Sequence, residues 1–92
     1  MDNMKYIVLE FGGLEVPILF PSILNHADVA NGRKVVSAGQ VQLQGATEPL
    51  PDACVIVNAV KVCTFGESTT LGVKAREEDA SIIEREINRW ML

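Results

Sequence analysis

The chain has 92 residues, of which 48% are hydrophobic, so it can form one domain with a single core but is too short for the large catalytic folds. Its 12 acidic and 8 basic residues give a net charge of -4, and the basic residues are scattered, which excludes a concentrated surface for nucleic acid. The longest apolar run, Val16 to Phe20, contains a proline and is too short to cross a membrane, so we expect a soluble cytoplasmic protein with no membrane partner.

The first predicted element is a β-hairpin that turns at Gly12 and Gly13, a pair that accepts positive φ without strain. This turn places six apolar residues on one face, which is therefore predicted to be buried. The facing pairs are Phe11 with Leu14, Leu9 with Val16, and Ile7 with Ile18. The opposite face carries both glutamates of the hairpin and is predicted to be the wetter one. Pro17 has no N–H to donate to a further strand, so the second strand is predicted to lie at a sheet edge.

A short helix is predicted next, with Ser22 as its N-terminal cap and Asn31-Gly32 at its C-terminal end. It would span about nine residues. Its apolar face would be formed by Ile23, Ala27 and Ala30.

Alternating residues from Arg33 to Gln44 predict a strand in which Gly39 marks a bulge. The proline-containing segment from Gly45 to Asp52 is predicted to be a loop. The segment from Cys54 to Phe65 is apolar on both faces, which favours a single interior strand. The alternative is a second hairpin that turns at Asn58-Ala59, although alanine does not accept positive φ.

The two cysteines, Cys54 and Cys63, are predicted to be free and buried. In a single strand they would lie roughly 30 Å apart, far beyond the ~5.5 Å that a disulfide needs. The chain has no C-x-x-C motif and one histidine, so no metal site and no cofactor are expected.

The last predicted element is a helix from Arg76 to Met91, with apolar residues at helical spacing, acidic residues in its first turn and arginines toward its end. The predicted order is therefore ββαββα. We expect residues 1–92 to form a single α+β domain, a two-layer sandwich with an antiparallel sheet and both helices against one face.

The loop from Thr64 to Gly72, TFGESTTLG, is the main candidate for a functional segment. It does not match a phosphate-binding P-loop, because the spacing of its glycines is wrong and the lysine and hydroxyl that follow are missing. It also lacks the second glycine of a G-x-S-x-G nucleophile elbow. We therefore predict no catalytic residues in this loop.

A minor hydrolase that uses Ser68 with His26 is one alternative. His26 is the only candidate imidazole base, but Asp28 lies two residues away on a helix, so their side chains would diverge. A nucleophilic Cys63 beside His26 is not favoured either, because nothing in its apolar strand would lower the pKa of the thiol.

The predicted partner-binding residues are Glu67, Ser68, Thr69, Thr70 and Trp90. The first four lie together in a loop, where contacts with partners are common. Tryptophan is enriched among interface residues when it is exposed. The alternatives are that the loop is a plain connection and that Trp90 belongs to the core.

Three blocks of the sequence resemble those of short proteins carried by temperate phages and prophages. These blocks are LEFGGLEVPILFPSILNHADVA, VVSAG and GESTTLGVKAREEDASIIER, and together they cover most of the chain. That group has no assigned reaction, so the resemblance implies no catalytic residue. It implies a bacterial host and a protein that binds host proteins, including components of defence systems.

The leading hypothesis is a non-enzymatic protein-binding module, a phage-encoded modulator or inhibitor of a host defence protein. A small-ligand binder with a pocket between subunits is the second hypothesis, and the hydrolase is the third. A two-fold symmetric homodimer is expected, formed along a free sheet edge or through the helix that carries Trp90.

Overall fold

The computed structural model describes residues 3–45, 54–57 and 60–91. The described elements are β1 (Asn3–Phe11), β2 (Leu14–Pro21), α1 (His26–Ala30), β3 (Val35–Gly45), β4 (Cys54–Val57), β5 (Val60–Phe65), β6 (Glu67–Ser68), β7 (Val73–Lys74) and α2 (Asp79–Met91). They confirm the α+β class. The observed order is ββαβββββα instead of ββαββα, because residues 54–65 contain two strands and the following loop contains two more.

The five longer strand segments form one antiparallel sheet, in the order β2-β1-β3-β5-β4. The prediction from Pro17 is confirmed, because β2 lies at one edge of this sheet. The two short strands β6 and β7 pair with each other in a separate ribbon.

The first hairpin has the predicted turn and register. Gly12 and Gly13 have φ values of 53° and 87°, which explains why two glycines stand at the turn. Phe11 pairs with Leu14, and the pairing continues outward along both strands. The remaining predicted pairs, Leu9 with Val16 and Ile7 with Ile18, are also observed.

The predicted burial of this hairpin is only partly correct. Ile7 and Leu9 are buried, whereas Phe11 is 48% exposed and Leu14 is 70% exposed. The face predicted to be wetter is in fact covered, since Val8 is fully buried. Apolar side chains pack on both faces of the sheet, and the tip of the hairpin extends beyond that packing.

Alternate residues of the interior strand β1 enter two different cores, which explains its apolar run from Tyr6 to Leu9. One core includes Ile83 of α2, and the other includes Ala30 of α1. The helices therefore pack on opposite faces, whereas the sequence predicted both on one. The buried members are Tyr6, Val8, Val41, Val62 and Ile83 on the α2 side, and Ile7, Leu9, Phe20, Ala30 and Ala38 on the α1 side.

β4 and β5 pair as antiparallel strands, so the prediction of a single interior strand from Cys54 to Phe65 is wrong and the alternative of two paired strands is correct. Cys54 lies opposite Cys63, with 4.1 Å between the Cα atoms, and the two form a disulfide. The predicted free thiols are therefore also wrong. The earlier separation assumed one extended strand, whereas a hairpin places the same residues side by side. The predicted turn residues, Asn58 and Ala59, lie outside the described part of the chain.

The first helix begins later than predicted and ends where predicted. Leu24 N–H donates to the Pro21 carbonyl at 3.1 Å, which forms a turn before the helix, and Asn25 occupies the N-cap position. Ser22 is therefore not the cap, and Ile23 is 87% exposed. At the other end, Asn31 adopts the left-handed conformation with φ of 49°, as the Asn-Gly signal predicts.

The bulge in β3 lies at Val36 instead of Gly39. Val8 pairs with Ser37 and Leu9 with Val35, which leaves Val36 as the additional residue. Gly39 has a different requirement, because a Cβ atom there would lie 2.4 Å from the Phe65 carbonyl oxygen. Gly45 is the last residue of β3, and the rest of the predicted loop lies outside the described residues.

We expect Leu9→Ala to reduce the free energy of unfolding by about 2 to 5 kcal/mol, because it leaves a cavity in the core. Leu14→Ala is the matched control in the same hairpin and should cost less than about 0.5 kcal/mol, since Leu14 is mostly exposed. Urea unfolding monitored by circular dichroism measures both values. Equal losses in the two variants would contradict the burial described for this hairpin.

Candidate functional site

The carboxylate of Asp79 is buried at the start of α2 and joins three parts of the fold. It accepts hydrogen bonds from Tyr6 Oη at 2.5 Å and from Ser37 Oγ at 3.0 Å. The backbone N–H of Arg76 donates to it at 2.9 Å. Because a buried charge is tolerated only when it is paired and hydrogen-bonded, these contacts make Asp79 a fixed point for β1, β3 and α2.

Arg76 connects Asp79 to the edge of the sheet. Its Nη2 atom lies 2.9 Å from Asp79 Oδ1 and 2.9 Å from Glu15 Oε1, and its Nη1 atom lies 3.3 Å from Glu15 Oε2. Hydrogen bonds from Arg76 hold the pKa of Glu15 below its usual range, and the same bonds raise the pKa of Arg76. Both groups are therefore charged at neutral pH, and together they tie β2 to α2.

The bond from the Arg76 N–H to the Asp79 carboxylate belongs to the turn that precedes α2. The Asp79 N–H in turn donates to the Arg76 carbonyl at 3.1 Å, which closes this turn. The helix was predicted to begin at Arg76, whereas its first regular residue is Asp79. Glu77 and Glu78 form an exposed turn before it.

The predicted partner-binding loop folds as the β6–β7 ribbon and its turn. The N–H of Gly72 donates to the Ser68 carbonyl at 2.9 Å. Ser68 is buried, and its Oγ accepts a hydrogen bond from the Leu71 N–H at 3.3 Å, so this hydroxyl stabilises the turn. The side chains of Glu67, Thr69 and Thr70 are exposed.

A polar concavity of about 280 Å³ lies beside this ribbon. Its lining combines the ribbon with β1, α1 and β3, and brings His26 and Ser68 to one surface. The residues that line it are Lys5, Asn25, His26, Gln40, Glu67, Ser68, Thr69 and Thr70.

The alternative of a hydrolase gains no support from the bonds that its two residues make. His26 Nε2 lies 2.9 Å from the Gly39 carbonyl oxygen and must donate its proton there. Asp28 contacts Asn25 at 3.4 Å instead of the imidazole. Cys63 is in the disulfide and offers no thiolate. Within the described residues, each member of the proposed relay is therefore bonded elsewhere.

Trp90 lies near the end of α2, but its side chain is outside the described part of the structure. Its predicted role at an interface stays a prediction.

The tip of the first hairpin presents two large apolar side chains that the sequence analysis did not select. Phe11 and Leu14 flank the Gly12-Gly13 turn and are exposed, as stated above. The residues just below them are held in place: Glu10 N–H donates to the Lys34 carbonyl at 3.1 Å, and Lys34 Nζ lies 3.2 Å from Glu10 Oε1. In the sequence, the exposed tip is marked by the apolar pair that flanks the turn. Neither helix covers these two side chains.

A second concavity of about 450 Å³ lies between the β2 edge and α2, and we call it the arginine groove. Its residues are Gly13, Leu14, Glu15, Pro17, Ile82, Arg85, Glu86 and Arg89. Arg89 forms an ion pair with Glu86 at 3.3 Å. Arg85 makes no hydrogen bond or ion pair with any described residue, although its charge helps to lower the pKa of Glu15.

The chain matches no protein-family model, no curated protein and no solved structure. Within residues 3–45, 54–57 and 60–91, no three His, Cys, Asp or Glu side chains are grouped to hold a metal ion. Neither of the described helices has the length and apolar character needed to cross a membrane.

We expect Asp79→Asn to lower the free energy of unfolding by about 3 to 5 kcal/mol, because it removes the buried negative charge that pairs with Arg76 and accepts the hydrogen bonds of Tyr6 and Ser37. Glu78→Gln is the control, since Glu78 is 64% exposed and 3.9 Å from Arg76. It should change stability by less than about 0.5 kcal/mol. Chemical denaturation of both variants provides the measurement, and a loss below about 1 kcal/mol for Asp79→Asn would argue against the central role of this carboxylate.

Tyr6 should make the folded state sensitive to high pH. Burial, followed by the hydrogen bond to Asp79 and its charge, raises the pKa of Tyr6 far above its ordinary value. The unfolded chain loses this proton near pH ~10 and the folded chain does not. The stabilisation is therefore complete below about pH 10 and decreases at higher pH by about 1.4 kcal/mol per pH unit.

Tyr6→Phe should lack this additional decrease, although it is less stable at neutral pH. Unfolding free energies of both proteins between about pH 8 and about pH 11 test the difference. The chain has one tyrosine, so tyrosinate absorbance reports on this group alone. Parallel pH profiles for the two proteins would contradict the assignment.

Proposed function

We propose that the protein is a non-enzymatic protein-binding module, a phage-encoded modulator or inhibitor of a host protein such as a defence component. One observation carries this proposal: Phe11 and Leu14 are paired and exposed side by side at the tip of a hairpin. Large apolar side chains that are exposed together are typical of interaction surfaces. Aromatic side chains are also common among the residues that dominate binding energy.

Two ion pairs at the base of the hairpin support this interpretation. Lys34 holds Glu10 on one strand, and Arg76 holds Glu15 on the other. A surface that is already ordered loses less conformational entropy when it binds a partner. The tip is therefore suited to enter an apolar pocket of another protein.

The phage setting rests on the resemblance of the three sequence blocks to short prophage proteins. The small size and the net charge of -4 agree with such a modulator. The non-enzymatic part of the proposal is supported by the local bonds that occupy His26 and Ser68.

Affinity capture from a bacterial lysate tests the proposal when the tip and the β6–β7 turn are changed separately. Wild-type protein should capture a host protein, and a Phe11→Ser, Leu14→Ser double variant should capture at least about 10-fold less, because two apolar anchors are lost. A Thr69→Ala, Thr70→Ala double variant should capture as much as the wild type. Circular dichroism checks that all three proteins are folded.

The opposite pattern would identify a different surface. If the tip variant captures the same proteins at the wild-type level, the tip is not the interface. If the Thr69 and Thr70 variant alone loses capture, the residues predicted from the sequence form the contact. Saturation-transfer NMR with the purified partner would then map which amides lie in contact with it.

A further inference from the structure

We infer that the Cys54–Cys63 disulfide is an exchange site, which external dithiols reduce while the protein stays folded. The disulfide joins β4, at the edge of the sheet opposite β2, to its neighbour β5. The inference goes beyond the proposed function, because it concerns a covalent change that is remote from the hairpin tip. It rests on where the disulfide lies on the sheet and on what covers it.

The disulfide lies on a part of the sheet that neither helix covers. Val62 belongs to the core on the α2 side, and Val55 packs against that core. The cysteines next to these valines therefore point to the opposite face, because side chains alternate along a strand. On that face the α1-side core reaches Ala38 of β3, whereas Cys63 pairs with Gln42, further along the same strand. The disulfide is thus outside both cores.

The surroundings of the disulfide are open to a reactant in solution. Both cysteines are half-buried. Ile56 follows Cys54 on the same face of β4, and Phe65 follows Cys63 on the same face of β5. These two neighbours are 38% and 40% exposed. A thiol can therefore reach the disulfide without displacing a helix or opening a core, and exposed disulfides are the ones that exchange readily.

Exchange with a dithiol takes two steps. A thiolate of the dithiol attacks one cysteine sulfur, which forms a mixed disulfide and releases the other cysteine as a thiolate that takes up a proton. The second thiol of the reductant loses its proton and attacks the mixed disulfide, which releases the remaining cysteine. Two electrons and two protons pass from the dithiol to the protein, so the protein ends with two thiols and the reductant with one disulfide.

Reduction should affect β4 more than any other described strand. Within the described part of the chain β4 pairs with β5 alone, whereas β5 is also held by β3. The pairing of Val55 with Val62 and its packing on the α2-side core do not depend on the disulfide. The reduced chain therefore keeps its fold, while its edge strand separates more easily from the sheet.

Reduction kinetics in the absence of denaturant test the inference. The probe is dithiothreitol, and mass spectrometry after alkylation counts the cysteines that have been released. The rate should increase with dithiothreitol concentration and by about 10-fold per pH unit below the pKa of the reductant, because the thiolate is the attacking form.

Leu9→Ala distinguishes reduction of the folded protein from reduction through unfolding. If the chain had to unfold first, the lost stability of this variant would accelerate reduction by more than about 10-fold. Attack on the folded protein predicts that the two rates agree within about 3-fold. A larger acceleration in Leu9→Ala, or no reduction of the wild type, would overturn the inference.

Amide NMR of the reduced protein provides a second test. The chemical shifts of β1 and β2 should be retained, and those of β4 and β5 should change. Addition of oxidised dithiothreitol after removal of the reductant should restore the original spectrum. A reduced protein that has lost the dispersed shifts of β1 and β2 would show that the disulfide is a structural cross-link, which would contradict exchange in the folded state.

Discussion

The buried carboxylate of Asp79 is the contact on which the geometry of this protein depends. A single side chain accepts hydrogen bonds from β1, from β3 and from the segment that precedes α2. Hydrophobic packing alone would allow the helix to slide on the sheet, whereas three directed bonds to one charge define its position and direction. Arg76 then extends the same network to Glu15 at the sheet edge. The base of the proposed interface is thereby connected to the centre of the fold.

Packing on both faces explains why a short chain can support this arrangement. The interior strand β1 contributes Tyr6 and Val8 to one core and Ile7 and Leu9 to the other. Few residues of β1 remain for contact with water. Among the described residues, the exposed large apolar side chains lie at the hairpin tip, before α1, and on β4 and β5: Phe11, Leu14, Ile23, Leu24, Ile56 and Phe65. The surface proposed for binding is therefore a consequence of where the two covering layers end.

Local signals in the sequence predicted the hairpin register, the edge position of β2 and the left-handed end at Asn31. Each depends on a few neighbouring residues with a distinct backbone property. Gly12-Gly13 accepts the positive φ of a tight turn, and Pro17 has no N–H to donate to a further strand. The second hairpin was predicted only as an alternative, because Asn58-Ala59 is a weak turn signal, and the disulfide that depends on it was therefore missed. The disulfide also disagrees with the predicted cytoplasmic location, because reducing compartments keep cysteines as thiols. The Asp79 network joins residues up to 73 positions apart, and no local pattern indicates such a contact. In the candidate site, the loop residues were predicted from their polarity. The exposure of Phe11 could not be predicted in this way, because it depends on where the helices stop covering the sheet.

The connection between Glu15 and Asp79 through Arg76 gives the hairpin a mechanical property. Force applied by a partner at Leu14 would pass to Glu15, the next residue, and across the guanidinium to a buried anchor. The load would thus be shared between the hydrogen bonds of the β1–β2 pair and the two ion pairs that Arg76 forms with Glu15 and Asp79. A hairpin braced in this way resists peeling from its edge of the sheet.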